Sequence, residues 1–474
     1  MEDGFREYDH LTIYPVILAG GGGKRLWPLS DPCEPKPFLK LGNRETLFSA
    51  TVQRVLGLAG PERLRVVCGG RHAHLATRDL EALGIDANGK LTLEPVPRNT
   101  GPAVLLQALQ LLKEDPDAMM VVLPADHLIE PMGKFHDAIQ HAVIEASDRL
   151  VLFGIVPTRA ETGYGYIETE SSGGIGQLLP VTRFVEKPDG ALAKTYLESG
   201  RHLWNAGIFV FGAAVICEAF QRHQPLMYEK VVAYLEGDRQ AFADAPSLSI
   251  DVSVMELSRK TAVIPVDFEW NDVGNWSAFK DMLPVDQAGN AVLGDTQLVD
   301  CENCLVVGEG ATVAGLGLKD LVVVSARNQV LVVPKSRSGD LKSLVDGVQA
   351  SDGNAFYRPW GRFVILDRTP GSLTKRIDIL PHSRTSLQKH LHREEHWVVL
   401  QGTLRVTKGA ETFLLEPGQA TLIPKGAVHR LENAGDEVVS LIEVQKGDLL
   451  SESDIVRLQD DYGRKTEDRT SMAG

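Results

Sequence analysis

From residue 15 to residue 280, short apolar runs alternate with longer amphipathic segments. Residues 64–68 and 118–123 have the length and content of buried strands. Residues 72–83 and 135–146 read as helices, and 102–113 carries its apolar residues at helical spacing. Strands alternating with helices predict an α/β layer fold on a mainly parallel, Rossmann-like sheet, with ligands beyond the carboxyl ends of the strands. This first domain is expected to span 10–285. The pattern then changes. Runs at 298–299, 305–307, 312–313, 321–324 and 330–333 are short β segments separated by Gly or Asn turns. They predict a β-rich connector over 286–350 with solenoid-like coils, ending in a helix at 340–348, and residues 351–354 read as a hinge. From Arg358 onward short β segments are punctuated by Pro370-Gly371, Pro381-His382, Gly409, Pro417-Gly418 and Lys425-Gly426. That predicts a compact antiparallel barrel over 355–460, followed by a polar, mobile tail after Leu458.

Length and charge narrow the functional classes. A chain of 474 residues has room for about three domains of ~150 residues. The net charge of −14 argues against generic binding to nucleic acid or an anionic membrane, so a phosphate site must be a local cationic pocket. No apolar run approaches ~18 residues, and the polar, acidic start lacks a leader pattern. A cytoplasmic location is the default expectation. Among five cysteines the only close pair is Cys301-x-x-Cys304, which lacks the second pair of a zinc ribbon and reads as two structural thiols.

The first candidate chemistry is the run Leu18-Ala19-Gly20-Gly21-Gly22-Gly23-Lys24-Arg25-Leu26-Trp27-Pro28. A strand that opens into glycines can bring backbone N–H groups to an anion, with Arg25 and Lys36 adding positive charge. The dinucleotide pattern fails because Arg25 stands where its third Gly belongs. The P-loop pattern fails because Arg25 replaces the Ser or Thr after Gly23-Lys24. Asp126 directly follows a buried strand, a usual place for a carboxylate that holds Mg²⁺ against a phosphate, and Asp272 is expected to complete that site.

Leu18 to Ser30 together with Pro35-Lys36-Pro37-Phe38-Leu39 resembles the fingerprint of mannose-1-phosphate guanylyltransferases. Arg98-Asn99-Thr100, Pro124-Ala125-Asp126-His127, Phe184-Val185-Glu186-Lys187-Pro188 and Asp272-Val273-Gly274 match that family in order, and the likeness covers 13–345. Two departures are Asp31, where the family usually has Arg, and Pro37, where it usually has Gln. The resemblance implies GTP and mannose 1-phosphate as substrates and GDP-mannose and pyrophosphate as products. It implies that Gly20, Gly21, Gly22, Gly23 and Asn99 hold the nucleotide and that Arg25 and Lys36 stabilise the triphosphate. Asp126 and Asp272 would bind Mg²⁺, Lys187 the sugar phosphate, and Gly165, Glu168, Glu186 and Asn205 the sugar.

The second candidate chemistry is Gln388-Lys389-His390-Leu391-His392-Arg393-Glu394-Glu395-His396. Such a density of His and Glu marks metal sites. Gly418, Pro424, Gly426, His429 and Asn433 fall at a spacing that resembles the second motif of cupin barrels. The first cupin motif fits if Gln388 replaces its first His, giving Gln388, His390, Glu395 and His429 as ligands, with His392 as the competing candidate. Mixed N and O donors suit Zn²⁺, Co²⁺ or Fe²⁺. Arg358-Pro359-Trp360-Gly361 and the stretch from Ser386 to Arg393 are similar to the C-terminal domain of type II phosphomannose isomerases, over 355–457. This implies interconversion of fructose 6-phosphate and mannose 6-phosphate, with Arg393, Lys375 and Arg376 as cationic candidates and His392 and Lys389 as proton shuttles; no residue is assigned as the base. A bifunctional enzyme is the leading expectation. The alternative keeps the transferase and makes the barrel a sugar-sensing or assembly module. A homodimer through the connector or barrel is expected by fold analogy alone.

Overall fold

The computed structural model describes residues 12–21, 24–31, 34–40, 45–171, 173–326, 329–341, 344–345, 355–358, 360–451 and 454–459. Gly22 and Gly23, most of the expected helix at 340–348, the hinge at 351–354 and the tail beyond residue 459 lie outside them. The chain forms two compact units, 1–342 and 343–474.

The first unit is built on a nine-stranded sheet. Its order is Leu91–Glu94, Arg65–Gly69, Thr12–Leu18, Ala118–Pro124, His202–Gly212, Leu150–Ile155, Thr261–Val266, Leu179–Val185 and Tyr166–Thr169. All but His202–Gly212 and Leu179–Val185 run the same way. The central run Ala118–Pro124 is apolar on both faces because helices cover both. Met120 and Val122 join a core with the helices Thr100–Glu114 and Ala213–His223. Met119, Val121 and Leu123 point the other way, towards Leu47–Leu56, Ala73–Ala82 and Met132–Glu145. Thr12–Leu18 and Ala118–Pro124 are parallel neighbours, Leu18 opposite Pro124, so the glycine loop and Asp126 leave the sheet side by side.

Residues 291–334 form a separate four-stranded sheet in the same unit, Ala291–Val299, Leu305–Leu316, Leu321–Ala326 and Gln329–Pro334. The first three strands are parallel with short returns, the solenoid-like arrangement expected from the sequence. Asp300, Asn303 and Asp320 take positive φ at those returns, where Asn and Asp tolerate the left-handed region. Cys301 and Cys304 are buried free thiols that donate to the carbonyls of Val299 and Glu302 at 3.3 Å.

The second unit is an all-antiparallel β-barrel of two facing sheets. The first sheet contains Ser372–Ile379, Val439–Gly447 and Arg393–Gln401; the second contains Leu404–Lys408, His429–Asn433 and Leu387–His390. Trp397, Ile377, Val406 and Leu441 fill the space between them. The His- and Glu-rich stretch is not one strand. It breaks at Leu391-His392, and that break carries Gln388 and His390 on one sheet and Glu395 on the facing one.

Candidate active sites

In the first unit the arm after the glycines is fixed by burial. Leu26, Trp27, Leu29, Phe38 and Leu39 are all in the core, and Trp276 Nε1 donates to the Trp27 carbonyl at 3.1 Å. Phe38 packs on Phe48 with ring centroids 5.4 Å apart. Gly21 sits at φ +114°, a conformation that a side chain would strain. Arg25 and Lys36 project from this anchored arm into a cavity of 750 Å³, which Gly20, Gly21, Asp126, Lys187 and Asp272 also line. Pro37 is on its wall. Asp31 instead holds a turn, its Oδ1 accepting from Glu34 N at 2.8 Å.

The two acids expected to hold a metal are joined by Lys36. Its Nζ lies 2.9 Å from Asp126 Oδ2 and also donates to the carbonyl of Asp272. Burial pushes the Asp126 carboxyl up, but the Lys36 ammonium and His127 outweigh it and hold it below its ordinary value. Asp272 Oδ1 accepts from Tyr164 OH at 2.9 Å and from Gly274 N at 3.0 Å. A Cβ on Gly274 would fall 2.6 Å from Asp272 Oδ2, so glycine alone leaves the carboxylate room to lie there. Two carboxylates beside a phosphate-sized cavity form a hard-oxygen donor set that fits Mg²⁺. Trp270 Nε1 donates to His127 Nδ1 at 3.1 Å, which leaves the His127 proton on Nε2.

A second cluster gathers around Gly165. Its carbonyl accepts from Asn205 N at 2.8 Å, and a Cβ there would meet Glu186 Oε2 at 2.7 Å. Lys187, at φ +48°, pairs with Glu186. Asn205 Nδ2 donates to Asp251 Oδ1 at 2.8 Å. Asp251 carries no sequence motif and was invisible to pattern reasoning. Burial, and then the charge of Glu186, push its carboxyl up to about 6. The Glu168 carboxylate faces Arg201 Nη2 at 3.9 Å. Asn99 caps the helix Thr100–Glu114, its Oδ1 accepting from Thr100 N at 2.9 Å, and it is not among the residues lining the cavity. Thr100 Oγ1 in turn accepts from Ile250 N at 2.9 Å, which ties this motif to the segment carrying Asp251. Glu94, also unmarked in the sequence, ends the strand Leu91–Glu94 beside Gly20. Burial raises its carboxyl to about 7.

In the barrel His390, Glu395 and His429 converge, and their donor atoms lie within 4.8 Å of one another. All three are at most 2 % exposed. His390 Nδ1 faces the Asp454 carbonyl at 3.3 Å and His429 Nδ1 the Ala427 carbonyl at 2.9 Å. With their protons on Nδ1, both rings turn an Nε2 lone pair inward, the arrangement that metal-bound imidazoles take, and that of His390 here accepts from Arg393 Nη2 at 3.2 Å. Glu395 Oε1 accepts from Arg393 Nε at 2.9 Å and Gln445 Nε2 at 3.1 Å, whereas Oε2 is buried with no hydrogen-bond partner among the described residues. That orphaned oxygen beside two lone pairs fits a divalent transition metal. Burial opposes the ionisation of Glu395, and the Arg393 guanidinium bonded to Oε1 favours the anion. The Gln388 amide faces both imidazoles, at 3.4 and 3.5 Å, with its other end at Ser386 Oγ. Exchanging its O and N, which are interchangeable in shape, points Oε1 at the centre and lets Nε2 donate to Ser386. His392 is 54 % exposed and bonded to Asp454, away from the cluster. Arg376 pairs with Asp378 on the outer side, while Lys375 and Arg393 line the narrow inner cavity.

These sites can be compared with known proteins. Residues 14–288 match the nucleotidyl transferase family, 294–347 the MannoseP isomerase/GMP-like beta-helix domain, and 348–460 the mannose-6-phosphate isomerase C-terminal domain. Mannose-1-phosphate guanylyltransferase of Klebsiella pneumoniae is 40% identical over 474 residues, spanning 95% of this chain and 100% of that protein. Alginate biosynthesis protein AlgA of Pseudomonas aeruginosa is 40% identical over 96% of this chain and 98% of its own length. Among solved structures, mannose-1-phosphate geranyltransferase from Thermus thermophilus is 36% identical, with a TM-score of 0.64 over 71% of this chain and 99% of that one. On these matches the chain belongs to the mannose-1-phosphate guanylyltransferase family, in the form that joins a nucleotidyl transferase domain and a β-helix to a C-terminal mannose-6-phosphate isomerase domain.

Proposed function

We propose that the first unit makes GDP-mannose from GTP and mannose 1-phosphate, releasing pyrophosphate, and that the barrel interconverts fructose 6-phosphate and mannose 6-phosphate. In the transfer step a sugar-phosphate oxygen attacks the α-phosphorus in line and pyrophosphate leaves, so catalysis is positioning and charge neutralisation. The observation that carries this reading is the convergence of Arg25, Lys36, Asp126, Lys187 and Asp272 on one cavity at the carboxyl ends of the parallel strands. The glycines approach the nucleotide, Arg25 and Lys36 take the developing charge, and Lys187 holds the sugar phosphate. Glu168, Glu186, Asn205 and Asp251 accept and donate at the sugar hydroxyls, with Arg201 3.9 Å from the Glu168 carboxylate. Mg²⁺ on Asp126 and Asp272 would supply further neutralisation of the triphosphate. Glu94 gives the base preference a chemical reason. A carboxylate beside Gly20 can accept both N–H donors on the Watson–Crick edge of guanine, whereas adenine presents an acceptor there.

In the barrel Gln388, His390, Glu395 and His429 would hold the divalent metal, which would supply polarisation of the substrate oxygens. Arg393 fixes Glu395 and leaves cationic Lys375 facing the same cavity. The product would serve polysaccharide assembly from a cytoplasmic pool. The nucleotide assignment is tested by offering GTP, ATP, CTP and dTTP with mannose 1-phosphate and glucose 1-phosphate. GTP with mannose 1-phosphate should lead, and equal use of dTTP or glucose 1-phosphate would overturn it. For the barrel, chelated full-length protein should regain isomerase activity with Zn²⁺, Co²⁺ or Fe²⁺; failure with all three would leave it a binding module.

A further inference from the structure

The chemistry of the isomerase needs a group that moves a proton between two adjacent carbons, and no motif in the sequence supplies it. The strand Val439–Gly447 turns Val439, Leu441, Glu443 and Gln445 inward. An acid on that face is out of place in an apolar pattern. Glu443 lies on the wall of the same cavity as Glu395 and is 5% exposed. Its Oε2 accepts from Trp397 Nε1 at 3.0 Å, its Oε1 from Gln445 Nε2 at 2.8 Å, and Lys375 Nζ stands 3.6 Å away. The same Gln445 amide also donates to Glu395, so the two carboxylates are one amide group apart.

We propose that Glu443 is the catalytic base of the isomerase, with Lys375 as its charged partner; this rests on the isomerase reading above. From fructose 6-phosphate, the Glu443 carboxylate removes a proton from C1, and the C1–H electron pair forms the C1–C2 double bond of an enediolate with negative charge on O2. Lys375 stabilises that charge, and a proton passes from O1 to O2. The carboxylic acid then returns its proton to C2 as the C1–O bond becomes the aldehyde carbonyl. No co-reactant enters and none is left over. Arg358 and Arg457 line the cavity at less buried positions than Glu443, which suits a phosphate held nearer solvent while C1 and C2 reach inward.

The electrostatics agree with this geometry. Burial, and then the charge of Glu395, push the Glu443 carboxyl up to about 7, against the pull of Lys375.

The test uses full-length, metal-loaded protein and the near-isosteric Glu443→Gln, which keeps the acceptor for Trp397. Fructose 6-phosphate is incubated in D₂O and carbon-bound deuterium is followed by NMR, with substrate binding and metal content measured on the same samples. Exchange in Glu443→Gln should fall by about 10²–10⁴-fold, the range for losing a general base, with substrate affinity and metal content kept. Exchange at the wild-type rate would overturn the proposal. If the Gln variant does not fold, Glu443→Asp, which keeps the charge but withdraws it by one methylene, should lose at least about tenfold in exchange; an unchanged rate would overturn it equally. Wild-type protein that neither exchanges nor isomerises would overturn the isomerase reading itself.

Discussion

Replacing Tyr164 by Phe removes one hydrogen bond and leaves everything around it in place. The hydroxyl donates to Asp272 Oδ1 at 2.9 Å. The ring packs edge-on to Trp204 and Trp270 at 5.2 and 5.0 Å, contacts that Phe keeps. Burial, and then the Asp272 charge, hold the phenol well above its ordinary pKa, so it is a donor at every working pH. A hydrogen bond to a charged acceptor contributes about 1.5–3 kcal/mol. At 1.4 kcal/mol per decade, that is about 10- to 150-fold. Asp272 keeps its bond from Gly274 N, so part of its orientation survives and the lower end of that range is expected. Loss of an outer partner of a metal ligand costs about 10–100-fold in metal affinity, which agrees. The assay is pyrophosphate release against Mg²⁺ concentration at saturating GTP and mannose 1-phosphate. Half-saturation should move up by about tenfold or more, with little change in the maximal rate and a preserved melting temperature. An unchanged Mg²⁺ dependence would refute the reading of Asp272 as a metal ligand oriented by Tyr164.

Two further outcomes follow from the same geometry. Burial raises the Glu94 carboxyl to about 7, so its anion, the form that accepts from guanine, becomes the major form only above that pH. The kcat/KM for GTP should therefore contain a rise through pH 7 that is missing in Glu94→Gln; identical profiles for the two proteins would exclude Glu94 from base recognition. In the barrel, His392→Ala should leave metal content unchanged, because the ring is outside the cluster, whereas His429→Ala should lower metal affinity by at least about tenfold, read by metal analysis after dialysis.

Much of this was legible in the sequence because the chemistry is carried by short motifs at strand ends. Alternating strands and helices gave the α/β unit, and the glycines, Arg25, Lys36, Asp126, Lys187 and Asp272 were all marked by their local context. The likeness to the cupin motifs pointed to Gln388, His390, Glu395 and His429, with His392 as a competing ligand, and His390, Glu395 and His429 do converge. Pattern could not show the break at Leu391-His392, which turns one polar stretch into strands on opposite sheets and sends His392 outward. Nor could it find Asp251 or Glu94, single acids in ordinary loops and strand ends whose importance comes from burial. Glu443 and Lys375 did leave a trace, since each is a charge at an inward position of an alternating strand. Without the opposite wall of the barrel such a position cannot be told from a register shift.

The central claim is that one chain carries two independent active sites. It is tested by measuring both reactions, transfer and isomerisation, on wild-type protein, Arg25→Ala and His429→Ala under identical Mg²⁺ and Zn²⁺. Arg25→Ala should lose about 10²-fold or more in GDP-mannose formation, the scale for one preorganised donor, and isomerise at the wild-type rate. His429→Ala should show the reverse. Loss of both activities in either variant, or of neither, would contradict the account.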